Sequence, residues 1–209
     1  MLAELTLKTF IDRVISNDPV PGGGSVSALN GAMAAALSAM VANLTVGRKK
    51  YAEVDELMRE LATRLEETAG KLLADVDRDS DAYNRVFAAF KMPKDSDEEK
   101  AARTEAIQRE TKYAAQVPME VARAVHAILP QIATIAQKGN SNAVTDACVA
   151  MMCARTAVLG ALLNVKINLS SIKDEPFVRA MAEEAARLEI DTIEQEKNLL
   201  LYAKENFGL

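Results

Sequence analysis

Apolar residues recur along the chain at every third or fourth position, the spacing of an α-helix, and no stretch keeps the strict alternation of a half-buried strand. Ala, Leu, Met and Glu dominate, and clusters of β-branched residues are scarce. We expect helices over residues 5–16, 25–45, about 53–92, a fourth ending at 138, 142–171 and a last one after 174. Because no linker, repeat or low-complexity segment interrupts this pattern, residues 1–209 are expected to form one all-α domain, a bundle of about five to six helices.

Proline, glycine and capping residues indicate where these helices begin, bend and end. The glycines at 22–24 form a turn, after which Ser25 is expected to cap the second helix. Pro118 and Pro130 should bend the fourth helix, because each removes a backbone hydrogen bond. Asp174, two residues before a proline, is expected to cap the last helix.

Two of the predicted helices, at 26–46 and 147–169, are apolar enough to raise the question of a membrane span. Arg155 lies near the middle of the second, and the first contains several serine and asparagine residues. Since polar and charged residues are costly inside a bilayer, we expect buried core helices instead. The N-terminus lacks the basic start and the continuous apolar run of a secretory signal, so we expect a cytoplasmic protein without membrane contact.

Charge and composition disfavour several classes of function. A net charge of −5, no tryptophan and only 4% aromatic residues argue against a nucleic-acid partner. The single histidine, His126, rules out clusters of histidine ligands, and we expect it at the surface or at a helix cap. Cys148 and Cys153 fit neither a Cys-x-x-Cys redox pair nor a zinc site, so we expect reduced thiols in the core.

Residues 75–83 read DVDRDSDAY, with an aspartate at every second position. A calcium loop would need glycine at its sixth position and glutamate at its twelfth, and the chain has neither. On a helix, Asp79 falls within the apolar stripe, whereas Asp77 and Asp81 fall nearly opposite and should face solvent. A carboxylate facing the core is costly and has a raised pKa, so Asp79 requires either a structural partner, such as an arginine or a helix N-terminus, or a place in a ligand cavity.

Small residues form a second unusual pattern, on the predicted helix 142–171. Small and polar side chains project to one side of this helix and bulky side chains to the other. The small side carries Asn142, Asp146, Cys153, Ala157, Gly160, Ala161, Asn164 and Asn168. Such a face is either a tight helix contact or one wall of a polar cavity. A similar side on helix 25–45 should let helices approach closely, within the subunit or across a dimer.

The glycine run at 22–24 and the basic run at 48–50 are ambiguous on their own. Glycines at a helix start suit an anion, but the Walker A and dinucleotide fingerprints are absent, so a plain turn and cap is favoured. The basic run could meet a polyanionic substrate tail or merely complement the C-terminus of the preceding helix.

Three long stretches together carry a resemblance to a known family. They read DPVPGGGSVSALNGAMAAALSAMVANLTVGRKKY, DRDSDAYNRVFAAFKMPKDSDEEK and GNSNAVTDACVAMMCARTAVLGALLNVKINL. In this order they resemble the formimidoyltetrahydrofolate cyclodeaminase family, which also includes a bacterial type of methenyltetrahydrofolate cyclohydrolase. The resemblance implies an all-helical, dimer-forming enzyme of folate one-carbon metabolism. In animals the domain is fused to a formimidoyltransferase, which we expect here to be a separate protein.

The reaction implied by the resemblance is the cyclisation of 5-formimidoyltetrahydrofolate: N10 attacks the amidine carbon, ammonia leaves, and the 5,10-methenyl bridge forms. N10 must lose a proton and ammonia leaves only once protonated, so one group can serve as base and then as acid. A neighbouring carboxylate would stabilise the cations. Asp79 and Asp146 are hypothesised to fill these two roles, with their order left open.

The resemblance also implies substrate contacts. The remaining candidate residues are Gly22, Gly23, Gly24, Ser25, Lys49, Asn142, Asn164 and Asn168. The glycine motif is expected to form a wall or anion contact, the lysine to contact the glutamate tail of a polyglutamylated folate, and the asparagines to bind the pterin or orient Asp146. No metal or organic cofactor is implied, because the reaction is polar and the folate is its substrate.

Two alternatives to this activity stay open. Within the same family, hydration and opening of the methenyl bridge to 10-formyltetrahydrofolate would need the same residue types. A helical interaction module without catalysis would use the small-residue faces entirely for protein contacts.

Overall fold

The computed structural model describes all 209 residues as a bundle of six α-helices with no β-strand. The helices are α1 (Leu7–Ile15), α2 (Gly23–Asn43), α3 (Asp55–Phe90), α4 (Asp97–Lys138), α5 (Val144–Leu169) and α6 (Glu175–Phe207). Three short 3-10 helices cover Leu2–Glu4, Lys49–Val54 and Ser141–Ala143. The predicted all-α bundle is confirmed.

Some helix boundaries follow the predicted capping residues. The Asp174 side chain accepts the Phe177 N–H at 3.1 Å, which caps α6 as predicted. α4 begins with a reciprocal cap between Ser96 and Glu99 and continues as one helix through Pro118 and Pro130. Each proline therefore removes one hydrogen bond without ending the helix.

The prediction that Ser25 caps α2 is wrong. α2 begins two residues earlier, at Gly23, with Gly22 in the capping position. Ser25 lies in the first turn, fully buried, and its hydroxyl donates to the Val76 carbonyl of α3 at 2.8 Å. The Ser25 side chain therefore bonds to the backbone of a neighbouring helix and does not cap its own. α2 begins with glycines, which have no side chain that could form a cap.

α2 and α5 form the centre of the bundle and run antiparallel. Near the start of α2, Ser27 lies against Gly160 of α5, which has room for this contact because it lacks a side chain. At the other end, Thr45 accepts the Asn140 N–H at 2.8 Å. By length and composition both α2 and the segment Ser141–Leu169, which contains α5, could span a membrane. However, 61% of the most apolar part of α2 and 50% of that of Ser141–Leu169 are buried within the bundle.

α3 also runs antiparallel to α2. Ser25 at the start of α2 contacts the second half of α3, and Asn43 at the end of α2 donates to Glu66 at 3.2 Å. As a result, the N-terminus of α2, the second half of α3 and the C-terminal half of α5 meet at one end of the bundle. This end contains the candidate site.

Candidate active site

A polar cavity of about 210 Å³ lies where these three helices meet. Its lining residues are Pro19, Val20, Gly22, Gly23, Gly24, Asp79, Ala82, Tyr83, Val86, Ala114, Asn164 and Asn168. One subunit therefore brings together Asp79, the glycine motif and two of the three predicted asparagines. Two larger grooves, of about 510 and 600 Å³, are lined mainly by apolar side chains and contain no predicted site residue.

Asp79 lies in this cavity against the first turn of α2. Its Oδ2 is 3.2 Å from the Ser25 hydroxyl, which is also 2.8 Å from the Val76 carbonyl oxygen and 3.1 Å from Ser80 Oγ. That hydroxyl has a single proton and can donate to only one of them at a time. Burial raises the pKa of the Asp79 carboxyl above its usual range, and hydrogen bonds from the side chain and backbone of Ser25 offset only part of the rise.

The structure answers the question that the aspartate pattern left open. No Lys or Arg forms an ion pair with Asp79. The carboxylate instead lies both beside a helix N-terminus, that of α2, and in a cavity, the other two surroundings considered for it. The positive end of the α2 dipole favours its charged form, but a full counter-charge is lacking.

The glycines of the motif make room for the polar groups of the cavity. A side chain at Gly24 would overlap the Asp79 carboxylate, and a Cβ at Gly23 would lie 3.3 Å from Asn164 Nδ2. The absence of side chains at these two positions therefore lets a carboxylate and an amide approach the backbone of α2.

Asn164 and Asn168 present hydrogen-bond acceptors to the cavity. Asn164 Nδ2 donates to the Gly160 carbonyl at 2.9 Å, and Asn168 Nδ2 donates to the carbonyls of Ala114 at 3.0 Å and Asn164 at 2.9 Å. Asn168 thus uses both of its amide donors on the helices and Asn164 uses one of two, so both amide oxygens and one N–H of Asn164 remain for a ligand. Together with Asp79 they make a cavity suited to a cation that carries N–H groups.

Asp146, Asn142 and Lys49 lie at the opposite end of the bundle. Asp146 is in the first turn of α5, 18 residues before Asn164, which at 1.5 Å per residue is about 27 Å along the helix. Asn142 and Lys49 are exposed at that same end. One subunit therefore does not bring Asp79 and Asp146 into a shared site, because a common helix face says nothing about distance along the axis.

A polar cluster surrounds Tyr51 at this second end. Tyr51 Oη accepts the Ser141 N–H at 2.9 Å and lies 3.1 Å from Ser141 Oγ, and Lys50 Nζ is 3.4 Å from the same Oγ. Hydrogen bonds from Ser141, with a smaller contribution from Lys50, lower the pKa of Tyr51 to about 8. With Lys49 beside it, this end presents donors and positive charge to an anion.

The two aspartates expected to face solvent behave differently. Asp81 is exposed, as predicted. The prediction for Asp77 is wrong, because its half-buried carboxylate accepts the N–H groups of Leu2 at 2.5 Å and Ala3 at 3.2 Å. It fixes the N-terminal 3-10 helix to α3, a long-range contact that helical periodicity does not encode.

The single histidine contacts another helix, and the two cysteines form no disulfide. His126 Nε2 lies 2.5 Å from Asp191 Oδ2, which links α4 to α6, so it is neither a free surface group nor a cap. Cys148 is buried and Cys153 half-buried, and both are free thiols. No group of three or more His, Cys, Asp or Glu side chains is placed to hold a metal ion.

Several lining residues were missed from the sequence. Ala82, Tyr83 and Val86 follow Asp79 by three, four and seven positions on α3 and face the same cavity. That spacing is a signal that could have found them. Pro19 and Val20 enter through the loop before α2, for which the sequence offers no comparable signal.

Comparisons with known proteins agree on one family. The sequence model described as formiminotransferase-cyclodeaminase matches residues 6–187. The methenyltetrahydrofolate cyclohydrolase of Methylorubrum extorquens is 39% identical over 184 residues, 88% of each chain. The rat formimidoyltransferase-cyclodeaminase is 35% identical over 93% of this chain, which spans 35% of the rat protein.

A solved structure gives the same result for the fold. The crystal structure of formiminotetrahydrofolate cyclodeaminase from Thermotoga maritima aligns with a TM-score of 0.85 and 33% sequence identity, and it covers 95% of this chain and 96% of that one. The resemblance found in the three stretches of sequence is thereby confirmed. The chain belongs to the formiminotransferase-cyclodeaminase family.

Proposed function

We propose that the chain is an enzyme of folate one-carbon metabolism that converts 5-formimidoyltetrahydrofolate to 5,10-methenyltetrahydrofolate with release of ammonia. The observation that carries this proposal is the cavity around Asp79, which is lined by a half-buried carboxylate without a Lys or Arg partner and by the side chains of Asn164 and Asn168. The protonated amidine of the substrate and the methenyl bridge of the product are both cations. Either would supply the counter-charge that Asp79 lacks.

In the proposed reaction, N10 attacks the carbon of the protonated amidine, and the electrons of the C=N double bond move to the amidine nitrogen. Asp79 takes the proton that N10 loses and delivers it to that nitrogen. The protonated amine leaves as ammonia, and the electron pair on N5 forms the new double bond. The positive charge then spreads over N5, the bridging carbon and N10, so charge and atoms balance.

The surroundings of Asp79 suit this role. A carboxyl whose pKa is raised holds a proton more readily between the two transfers than an ordinary exposed carboxyl would. The backbone N–H of Ser25 hydrogen-bonds the carboxylate, the Ser25 hydroxyl lies 3.2 Å from its Oδ2, and the missing side chain of Gly24 leaves room for it against α2. The oxygens of Asn164 and Asn168 would accept N–H groups of the amidine or the pterin.

Methenyltetrahydrofolate cyclohydrolase activity is the second candidate. It is favoured by the Methylorubrum relative of that name, which is 39% identical over most of both chains. In this reaction a water adds to the same bridging carbon while Asp79 takes its proton, so both activities pass through a tetrahedral carbon between N5 and N10.

Further elements belong to the same proposal. The proposed enzyme acts in the cytoplasm, and because its chemistry is polar it is proposed to need no metal or organic cofactor. A homodimer is the proposed assembly, a polyglutamylated folate the proposed substrate form, and Lys49 the proposed contact of its tail. Since the rat relative is a formimidoyltransferase-cyclodeaminase, a formimidoyltransferase is the proposed source of the substrate.

The proposal is tested by replacing Asp79 beside a matched control. Asp79→Asn keeps the shape of the side chain and should lose at least about 100-fold in turnover, because general acid–base catalysis contributes about 10²–10⁴-fold. Asp81→Asn makes the same change two residues away on the exposed side of α3 and should leave turnover unchanged. An Asp79→Asn variant as active as Asp81→Asn would remove the cavity from the mechanism.

A further inference from the structure

Ser80 is a buried serine of α3 beside the candidate site, and it does not line the cavity. Other buried hydroxyls, such as those of Ser38 and Thr45, donate to the carbonyl four residues earlier in their own helix. For Ser80 that carbonyl belongs to Val76, which accepts the Ser25 hydroxyl at 2.8 Å. The Ser80 Oγ lies 3.1 Å from the Ser25 Oγ instead. Ser80 therefore departs from the local pattern and links α3 to the first turn of α2.

The oxygens around Ser25 differ in what they can donate. The Ser25 Oγ lies 2.8 Å from the Val76 carbonyl oxygen, 3.1 Å from Ser80 Oγ and 3.2 Å from Asp79 Oδ2. A carbonyl oxygen and an ionised carboxylate can only accept hydrogen bonds, whereas a hydroxyl can also donate. Ser80 is therefore the one of these three neighbours that can donate to Ser25 Oγ while Asp79 is ionised.

The ionised carboxylate favours donation from Ser80 towards Asp79. Ser80 then donates to Ser25, and Ser25 donates to Asp79 Oδ2, in what is called here the hydroxyl chain. Each hydrogen bond of such a chain polarises the next one and strengthens it. The Val76 carbonyl, which loses the Ser25 proton in this state, keeps the N–H of Ser80, four residues later in α3, as its helical partner.

The protonated carboxyl favours the other position of the Ser25 proton. Once Asp79 carries a proton, no charge remains for the Ser25 hydroxyl to stabilise. The Val76 carbonyl, which is the nearest of the three oxygens, is then the better acceptor. Rotation of the Ser25 hydroxyl alone connects the two states, so the buried oxygens have a suitable arrangement whether Asp79 is ionised or protonated.

No other charged group lies in the cavity with Asp79. The cavity lining comes from the loop before α2 and from α2, α3, α4 and α5, and Tyr83 is its only other ionisable residue. On α3, one turn before Asp79, Asp75 pairs with Arg78 at 3.0 Å. Arg78 also pairs with Glu120 of α4 at 2.8 Å. The neighbouring charges are thus paired with one another, and hydrogen bonds are left to stabilise the ionised form of Asp79.

We propose that Ser80 is a positioning residue, which acts through the Ser25 hydroxyl to let Asp79 first take up a proton and then release it. In the proposed reaction Asp79 accepts a proton from N10 and delivers it to the leaving nitrogen, so neither of its two forms should be strongly favoured. Burial raises the pKa of Asp79, and the hydrogen bonds from Ser25 lower it again. The catalytic part of this inference rests on the proposed function, whereas the effect of Ser80 on the protonation of Asp79 does not.

The dependence of kcat/KM on pH tests the role of Ser80. Ser80→Ala removes the hydroxyl and should keep the helix, since alanine is a strong helix former. The ionised form of Asp79 loses more than the protonated form, so its pKa should rise. The acid limb of the profile should then move up by about 0.3 pH units, the order expected for weakening a charged hydrogen bond by roughly 10–30%. Below the limb kcat/KM should fall about twofold, with the plateau above it unchanged.

A matched control separates this effect from the loss of a buried hydroxyl in general. Ser38 is fully buried in α2, and its hydroxyl donates to the Ala34 carbonyl at 2.8 Å. Ser38→Ala should leave the acid limb in place. Ser80→Cys keeps most of the volume of the side chain but is a weak donor, so it repeats the test should Ser80→Ala fail to fold. An acid limb that is unmoved in a folded Ser80 variant would overturn the proposal.

A double-variant cycle tests whether Ser80 acts through Ser25. Ser25→Ala removes the direct hydrogen bond to Asp79 and should raise the pKa of Asp79 by about 1 unit or more. Ser80→Ala should then add nothing in the double variant, because the hydroxyl chain is already broken. Shifts that add in the double variant would overturn the chain.

Carbon NMR of the aspartate carboxyl groups follows the same ionisation without turnover. The Asp79 signal is the one that disappears in Asp79→Asn, and it is titrated in the wild type, in Ser80→Ala, in Ser25→Ala and in the double variant. An unchanged titration in Ser80→Ala beside an active wild type refutes the role of Ser80 and leaves the proposed function standing. A wild type without turnover that shows the expected shifts refutes the proposed function and leaves the hydroxyl chain standing.

Discussion

Gly24→Ala is the substitution that most directly displaces the proposed catalytic carboxylate. A Cβ at this position would overlap Asp79, and even the farther carboxylate oxygen, Oδ2, would lie at 2.5 Å. Because ordinary contact begins at 3.4 Å, that oxygen must retreat by about 0.9 Å. A misplacement of about 1 Å can cost roughly 100-fold in rate, so we expect the turnover number to fall by about that factor. Alanine favours helices more than glycine does, so the fold should persist.

The assay is the initial rate of methenyl formation from 5-formimidoyltetrahydrofolate, measured together with the melting temperature. Gly70→Ala is the matched control, since Gly70 lies in the interior of α3 and an added Cβ meets nothing within 4 Å. It should leave the rate unchanged and raise the free energy of unfolding by roughly 0.5–1 kcal/mol.

Wild-type turnover in a folded Gly24→Ala would refute the reasoning, because the carboxylate could then not be required in its observed position. Equal losses of activity in Gly24→Ala and Gly70→Ala would refute it as well, since only the first substitution touches Asp79.

Three further predictions follow from individual contacts. Asp79→Asn should raise the free energy of unfolding by about 1 kcal/mol at neutral pH while it removes activity. Burial raises the pKa of Asp79, so its ionised form destabilises the fold. Thermal melts should therefore show that the stability gained by Asp79→Asn grows as the pH rises through that pKa and vanishes in acid. Burial opposes ionisation of Glu110, but hydrogen bonds from Arg85 and Arg109 prevail and lower its pKa. Glu110→Ala should therefore lower the melting temperature by roughly 2–4 °C at neutral pH, with the difference from wild type in calorimetry disappearing as pH falls through the lowered pKa. Lys49→Ala should raise the Michaelis constant more for polyglutamylated folate than for the monoglutamate, and equal changes would contradict its role at the tail.

Local physics accounts for the parts of the fold that the sequence predicts. Helical periodicity and caps such as Asp174 act within a few residues, so they can be read directly from the chain. Asp79 stood out because an ionised group in an apolar stripe is costly, and it does lie in a cavity. Ser25 and Asp77 were misjudged because their partners, the Val76 carbonyl and the N-terminal backbone, are more than 50 residues away in the chain.

The position of Asp146 marks the limit of helix-face reasoning. Its angular position on α5 agrees with that of Asn164, but the distance between them along the axis, about 27 Å, depends on which ends of the neighbouring helices converge. Only tertiary structure supplies that information.

Incubation of the pure protein with 5-formimidoyltetrahydrofolate, with the methenyl chromophore and free ammonia followed together, tests the central claim most directly. The account predicts one ammonia for each methenyl group formed, with loss of both signals in Asp79→Asn. A parallel incubation with 5,10-methenyltetrahydrofolate detects the cyclohydrolase as loss of chromophore above the buffer rate. Loss of methenyl signal without use of the formimidoyl substrate would replace the proposed activity by the second candidate, and no reaction of either substrate would contradict the account.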